Sequence, residues 1–195
     1  MSLDLDDPTA VALAIFRTFS TRRIDTALYG GLALAAYGEP RETRDADFAV
    51  VGLSGAAATE ALRDIGVRPI LAVDRVPIGG LLVSRITLAE GGGRTGLNVL
   101  DLVEPRSARF AAAALERAVT ASLRSETIRV LSPEDFMLFK LLTTRDRDLE
   151  DAISLLRAPD LPLDMSFVGA EAVRLGAEIS DHDLTGRLAR LRAPS

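Results

Sequence analysis

The sequence predicts an α/β (α+β) protein with a mixed sheet flanked by helices. Segments with helical spacing of apolar residues alternate with short runs rich in leucine, isoleucine and valine, which is the pattern of sheet and helix layers packed together. Two pairs of such runs are separated only by short turn-forming stretches, so part of the sheet is built from antiparallel hairpins. The chain has 195 residues and is 48% hydrophobic, enough for one ordinary core.

Residues 8–20 form the first predicted helix, with Asp7 or Thr9 as cap and Pro8 in the first turn. A short strand over Ile24–Leu28 leads into Gly30-Gly31 and a helix over Leu32–Tyr37 that stops at Gly38 and Pro40. Ala46–Val51 reads as a strand, Ser54–Ile65 as a helix capped by Ser54, and Val67–Val73 as a strand. Leu81–Ala89 and Gly96–Val103 flank Gly91-Gly92-Gly93 as a hairpin. An alanine-rich helix over Arg106–Ala118 follows, then a shorter hairpin of Val119–Leu123 and Thr127–Leu131. Ser132-Pro133-Glu134-Asp135 has the form of a helix start, with Ser as cap, Pro in the first position and Asp at the capping-box position. Further helices are expected over Asp148–Leu156, stopped by Pro159, and over 166–177 and 181–191. The division expected is a main domain of residues 1–157 and a C-terminal helical extension of residues 158–195.

Composition narrows the chemistry. A net charge of −5 gives no support for tight nonspecific binding to nucleic acid. With no cysteine and one histidine, His182, thiolate and zinc sites are not expected. No apolar run has transmembrane length and the N-terminus is acidic, so a soluble, cytoplasmic protein without membrane association is expected. Lys140 is the only lysine among 23 basic residues.

Chemistry concentrates in Gly30–Val50. A Gly-Gly pair after an apolar strand leaves backbone N–H groups bare at a helix start, which suits phosphate, although such a pair also serves as a plain turn. Asp45 and Asp47, two apart at the start of a strand, point to one face and form a half-site for Mg²⁺, or else cap a turn. Asp101 stands inside the apolar strand NVLDLV, either as a third carboxylate beside Asp47 or at an exposed edge. Lys140 suits a phosphate as a compact charge or snorkels from an apolar face. Arg145 and Asp151, taken singly, read as members of a solvated, salt-bridged helix start. His182 receives no role, and Arg187, Arg190 and Arg192 read as a solvated helix face.

Three segments in order carry a resemblance: GG followed by RETRDADFAV, then LNVLDLV, then LSPEDFMLFKLLTTRDRDLEDAISLL. With them the chain resembles the nucleotidyltransferase superfamily of the DNA polymerase β type. It is closest in look to the minimal nucleotidyltransferases of bacterial abortive-infection and toxin–antitoxin systems, the AbiEii-like group. The resemblance covers residues 24–157 and implies the nucleotidyltransferase fold with a twisted mixed sheet. It implies that Gly30 and Gly31 hold a nucleoside triphosphate, with Arg41 and Thr43 in the same nucleotide-binding stretch. Asp45, Asp47 and Asp101 would hold Mg²⁺ or Mn²⁺, Lys140 would meet the phosphates, and Asp148, or in its place Asp151, would match the last acidic motif. The implied activity is transfer of a nucleoside monophosphate to an acceptor hydroxyl of RNA, tRNA or protein, in a toxin with a cognate antitoxin. The alternative is a non-catalytic nucleotide- or partner-binding protein on the same fold. Two departures stand out: Gly31 where relatives often carry serine, and a short segment, 158–195, where larger relatives grip the acceptor.

Overall fold

The computed structural model describes residues 3–90, 96–158 and 161–192. The chain runs α1 (Pro8–Thr21), β1 (Thr26–Tyr29), α2 (Gly30–Ala36), β2 (Ala46–Val50), α3 (Gly55–Ala61), β3 (Arg68–Ile78), β4 (Leu81–Ala89) and β5 (Leu97–Pro105). It continues through α4 (Ala108–Glu116), β6 (Val119–Leu123), β7 (Glu126–Val130), α5 (Pro133–Leu142), α6 (Asp146–Arg157), α7 (Met165–Glu178) and α8 (Leu184–Arg192). The capping chemistry places the helix starts: the side chains of Asp7, Ser54, Ser107, Ser132 and Asp164 each accept a backbone N–H of the first turn.

The strands form one seven-stranded sheet in the order β3-β4-β5-β2-β1-β7-β6. The sheet is mixed as expected: β1–β2, β3–β4, β4–β5 and β6–β7 are antiparallel, whereas β2–β5 and β1–β7 are parallel. The β4–β5 hairpin closes with Glu90 N donating to Gly96 O at 3.1 Å. Gly91-Gly92-Gly93 and Pro159 lie outside the described residues.

One strand is longer than the sequence suggests. β3 does not stop near Val73 but continues to Ile78 and turns at Gly79-Gly80 into β4, making a hairpin that sequence reading overlooks. Pro69, Pro77 and the polar Asp74-Arg75 pair break the alternation that marks a strand. They are tolerated because β3 is an edge strand with register shifts between Leu71 and Val76, where Arg75 takes a φ of 50°. The turn is seated on α5: Gly80 N donates to Leu142 O at 2.8 Å, and a Cβ on Gly79 would meet that oxygen at 2.6 Å.

α5 is buried on every side from Asp135 to Leu142, which explains its nearly unbroken apolar run. Tyr29, Phe110, Phe136 and Phe139 make tilted ring contacts along it. Asp135 is fully buried and is held by both nitrogens of a fork from Arg117, which also lies 5.0 Å from the Phe167 ring. Apolar residues of α7 and α8 join the same core as those of α1–α6.

Candidate active site

Register across the sheet builds the site. Tyr29 pairs with Asp47, Asp47 with Asp101, and Asp101 with Arg85, so one row of chemically distinct side chains crosses β1, β2, β5 and β4. Paired residues share a face. The row faces a pocket of about 470 Å³.

Gly30 opens α2 with a φ of 70°, and a Cβ there would fall 2.0 Å from Asp47 Oδ2. Glycine is needed twice over, for a left-handed backbone and for the close approach of the carboxylate. Gly31 does not line the pocket; a Cβ on it would meet Thr43 Cβ at 2.7 Å, so it makes room for the loop that carries Thr43. The residue before α2 is Tyr29, which gives no side-chain cap to the first turn.

Asp45 and Asp47 both line the pocket, Asp45 at the bend before β2 and Asp47 on the strand. Burial, and next to it the Asp101 carboxylate, push the Asp47 pKa up to about 7. Asp101 is buried on a central strand, not at an edge. Arg85 covers both of its oxygens, with Nε 2.8 Å from Oδ1 and Nη2 2.6 Å from Oδ2. That bond, with the surrounding carboxylates, holds the Arg85 pKa above its ordinary value.

Lys140 does not snorkel. It is 2% exposed, with Nζ 2.7 Å from Asp148 Oδ1 and 2.8 Å from Asp151 Oδ2. Nζ also lies 4.8 Å from the Tyr29 ring centroid. Burial works against its charge, but the Asp148 and Asp151 carboxylates outweigh it and hold the pKa above the lysine range. Asp148 likewise stays below the carboxylate range despite its burial, because Lys140 and Arg145 flank it. Asp151, expected on a solvated helix face, is buried and also meets Arg41, whose Nη2 lies 3.2 Å from Oδ2. Arg145 is exposed as expected and donates to Asp148 Oδ2 at 2.7 Å.

Of the predicted residues, the pocket gathers Gly30, Arg41, Thr43, Asp45, Asp47, Asp101, Lys140 and Asp148. Sequence reading missed Tyr29, Arg85 and Arg147. Arg85 had a signal, since a lone charge inside LLVSRITLA is as anomalous as Asp101 inside NVLDLV. The Tyr29 hydroxyl is buried with no hydrogen-bond partner among the described residues. Arg187 was also misread. It is buried and donates to Lys140 O, Leu141 O and Arg145 O, tying α8 to the end of α5. His182 Nε2 lies 2.8 Å from Leu141 O at the same end.

The donor set is all oxygen, the chemistry a hard divalent cation prefers. Among the described residues no three His, Cys, Asp or Glu side chains are gathered as a ready metal site. With Asp101 covered by Arg85, the free protein offers a two-carboxylate half-site, Asp45 and Asp47. Such a half-site fits Mg²⁺, which usually completes its shell with water and substrate phosphates.

Among solved structures, a crystal structure of an antigenic nucleotidyltransferase-like protein from Paracoccidioides brasiliensis is 20% identical, with a TM-score of 0.54 over 97% of this chain and 95% of that one. A solution structure of the antibiotic-resistance factor ANT(2'')-Ia is 13% identical, with a TM-score of 0.48 over 94% of this chain and 90% of that one. No curated protein matches the sequence. The first likeness establishes a nucleotidyltransferase-like fold. Residues 12–164 match the family described as nucleotidyl transferase AbiEii toxin, type IV TA system, and the chain belongs to that family of nucleotidyltransferases.

Proposed function

We propose that this protein transfers a nucleoside monophosphate from an Mg²⁺-bound nucleoside triphosphate to an acceptor hydroxyl, releasing pyrophosphate. The observation that carries the reading is the row Tyr29–Asp47–Asp101–Arg85 beside the Gly30 turn, facing one polar pocket. Asp45 and Asp47 would hold Mg²⁺, or Mn²⁺ in its place, with Asp101 completing the set. When bound, the ion supplies Lewis-acid activation of the acceptor oxygen and neutralises charge on the leaving phosphates.

The chain's own residues then divide the work. Gly30 leaves space at the start of α2 for Asp47 and for a phosphate oxygen beside it. Arg41, Thr43 and the rim residue Arg147 face the triphosphate from the pocket wall. Lys140 keeps a fixed positive charge at the pocket floor, oriented by Asp148 and Asp151. The unpartnered Tyr29 hydroxyl is a donor that a ligand in the pocket satisfies. The acceptor is an RNA or tRNA 3′ end or a protein side chain, and the biological role is that of a cytoplasmic toxin with a cognate antitoxin; the family description, a toxin of a type IV TA system, supports the toxin role.

The test is incubation with each labelled nucleoside triphosphate, Mg²⁺ and pooled tRNA or cell lysate. Label should enter RNA or protein with the wild type and be lost in Asp45→Ala and Asp47→Ala. If those variants leave both labelling and Mg-nucleotide binding unchanged, the reading fails. A non-catalytic binding protein is the second reading, favoured by the protein partners that already engage Asp101 and Lys140. It predicts nucleotide binding with no label transferred to any acceptor.

A further inference from the structure

We propose that Arg85 is a resident counter-ion of Asp101 that keeps this carboxylate out of a cation's coordination shell until a nucleoside triphosphate binds. The proposal rests on the reading of the pocket as a metal–nucleotide site. Its starting point is register. Arg85 and Asp101 are paired on neighbouring strands, so their contact is set by the sheet and not by a mobile loop.

The guanidinium fork meets both oxygens of Asp101, at 2.8 and 2.6 Å. A carboxylate held at both oxygens by such a fork has its favourable lone-pair directions occupied. The two partners differ in freedom. The Asp101 side chain is 12% exposed, whereas that of Arg85 is 46% exposed. Arg85 lines both the main pocket and an adjoining cavity of about 120 Å³ walled by Leu81, Val83 and Val103. The arginine can therefore swing while the aspartate stays.

A triphosphate entering the main pocket offers the guanidinium a second fork-shaped anion within the same cavity. When Arg85 exchanges carboxylate for phosphate, the oxygens of Asp101 become available next to Asp47. Cation and nucleotide then bind with positive coupling, and each raises the affinity of the other by the same factor. In the free protein, cation affinity is set by Asp45 and Asp47 alone.

The experiment is titration of Mn²⁺ alone into the full chain, with free ion read by electron paramagnetic resonance and no nucleotide present. Arg85→Gln should bind Mn²⁺ at least tenfold more tightly than wild type. The gain should vanish in Arg85→Gln/Asp101→Asn, and Asp101→Asn alone should stay within about twofold of wild type. Should Arg85→Gln fail to fold, Arg85→Met carries the same expectation. Equal affinity in wild type and the folded Arg85 variant overturns the proposal, as does a tenfold loss in Asp101→Asn alone. If Mn²⁺ affinity is unchanged by Asp45→Ala and Asp47→Ala, the underlying metal reading falls first and the proposal with it.

Discussion

Replacing Asp47 by asparagine should make the metal-free protein more stable while abolishing transfer. Asp47 lies in the pocket between Gly30 and Asp101, and burial followed by the Asp101 charge raises its pKa from 3.8 to about 7. A carboxyl group whose folded pKa exceeds its unfolded value binds its proton more tightly when folded. Its contribution is neutral below pH 3.8 relative to the protonated reference, and stability is lost as pH rises from there through 7. A separation of about 3 pH units corresponds to a ceiling of about 4 kcal/mol above pH 7. The side chain is only part-buried, and solvent in the pocket reduces this to about 2 kcal/mol. For a chain of this size that is a rise in Tm of roughly 4–8 °C at pH 8. The assay is differential scanning calorimetry of wild type and Asp47→Asn in EDTA at pH 4 and pH 8. The gain should be near zero at pH 4 and full at pH 8, and Mg²⁺ with nucleotide should stabilise only the wild type. An asparagine variant no more stable than wild type at pH 8 in EDTA would refute the argument that Asp47 is held charged against burial and a like charge.

Three other substitutions separate parts of the site. Gly30→Ala places a Cβ 2.0 Å from Asp47 Oδ2 at a φ of 70°, so transfer should fall at least a hundredfold and chemical denaturation should show a loss of about 1–3 kcal/mol. Lys140→Ala strands Asp148 and Asp151 without their buried cation, and urea unfolding at pH 8 should show a loss of about 3–5 kcal/mol, with part regained in Lys140→Ala/Asp148→Asn. Arg187→Ala removes the donors that cap the α5 carbonyls, costing about 2 kcal/mol by the same measurement and lowering kcat more than it raises KM, because Lys140 is oriented and not removed.

The legible parts of the molecule are those where local chemistry decides. Helix starts were readable because Asp7, Ser54 and Ser132 bond to their own first turns. Asp45, Asp47 and Asp101 were readable as anomalies in apolar context. Partners across the sheet were not, because register brings Arg85 to Asp101 through strand pairing that no short window contains. β3 was cut short for a related reason: its prolines forbid a central strand but not an edge, and edge position is a property of the whole sheet. Asp151 and Arg187 looked solvated because charge on a helix usually is. Each is buried only because it answers a group on another element, Lys140 for Asp151 and the α5 carbonyls for Arg187.

These pairings have a consequence for how the pocket works. Asp101 is neutralised by Arg85, Lys140 by Asp148 and Asp151, and Arg41 lies against Asp151. Asp45 and Asp47 are left without a salt-bridge partner among the described residues. A cation therefore meets its strongest unmet demand at those two carboxylates, and an anion meets its own at the rim beside Arg147. Deeper contacts require existing pairs to open. The Arg85–Asp101 pair has one exposed member that a ligand can reach and re-partner, whereas the Lys140 cluster is sealed at 2% exposure of its ammonium-bearing side chain. On the proposed reading the order of exchange follows from that difference: Arg85 would trade partners with ligand, and Lys140 would stay fixed as the charge against which the ligand is set.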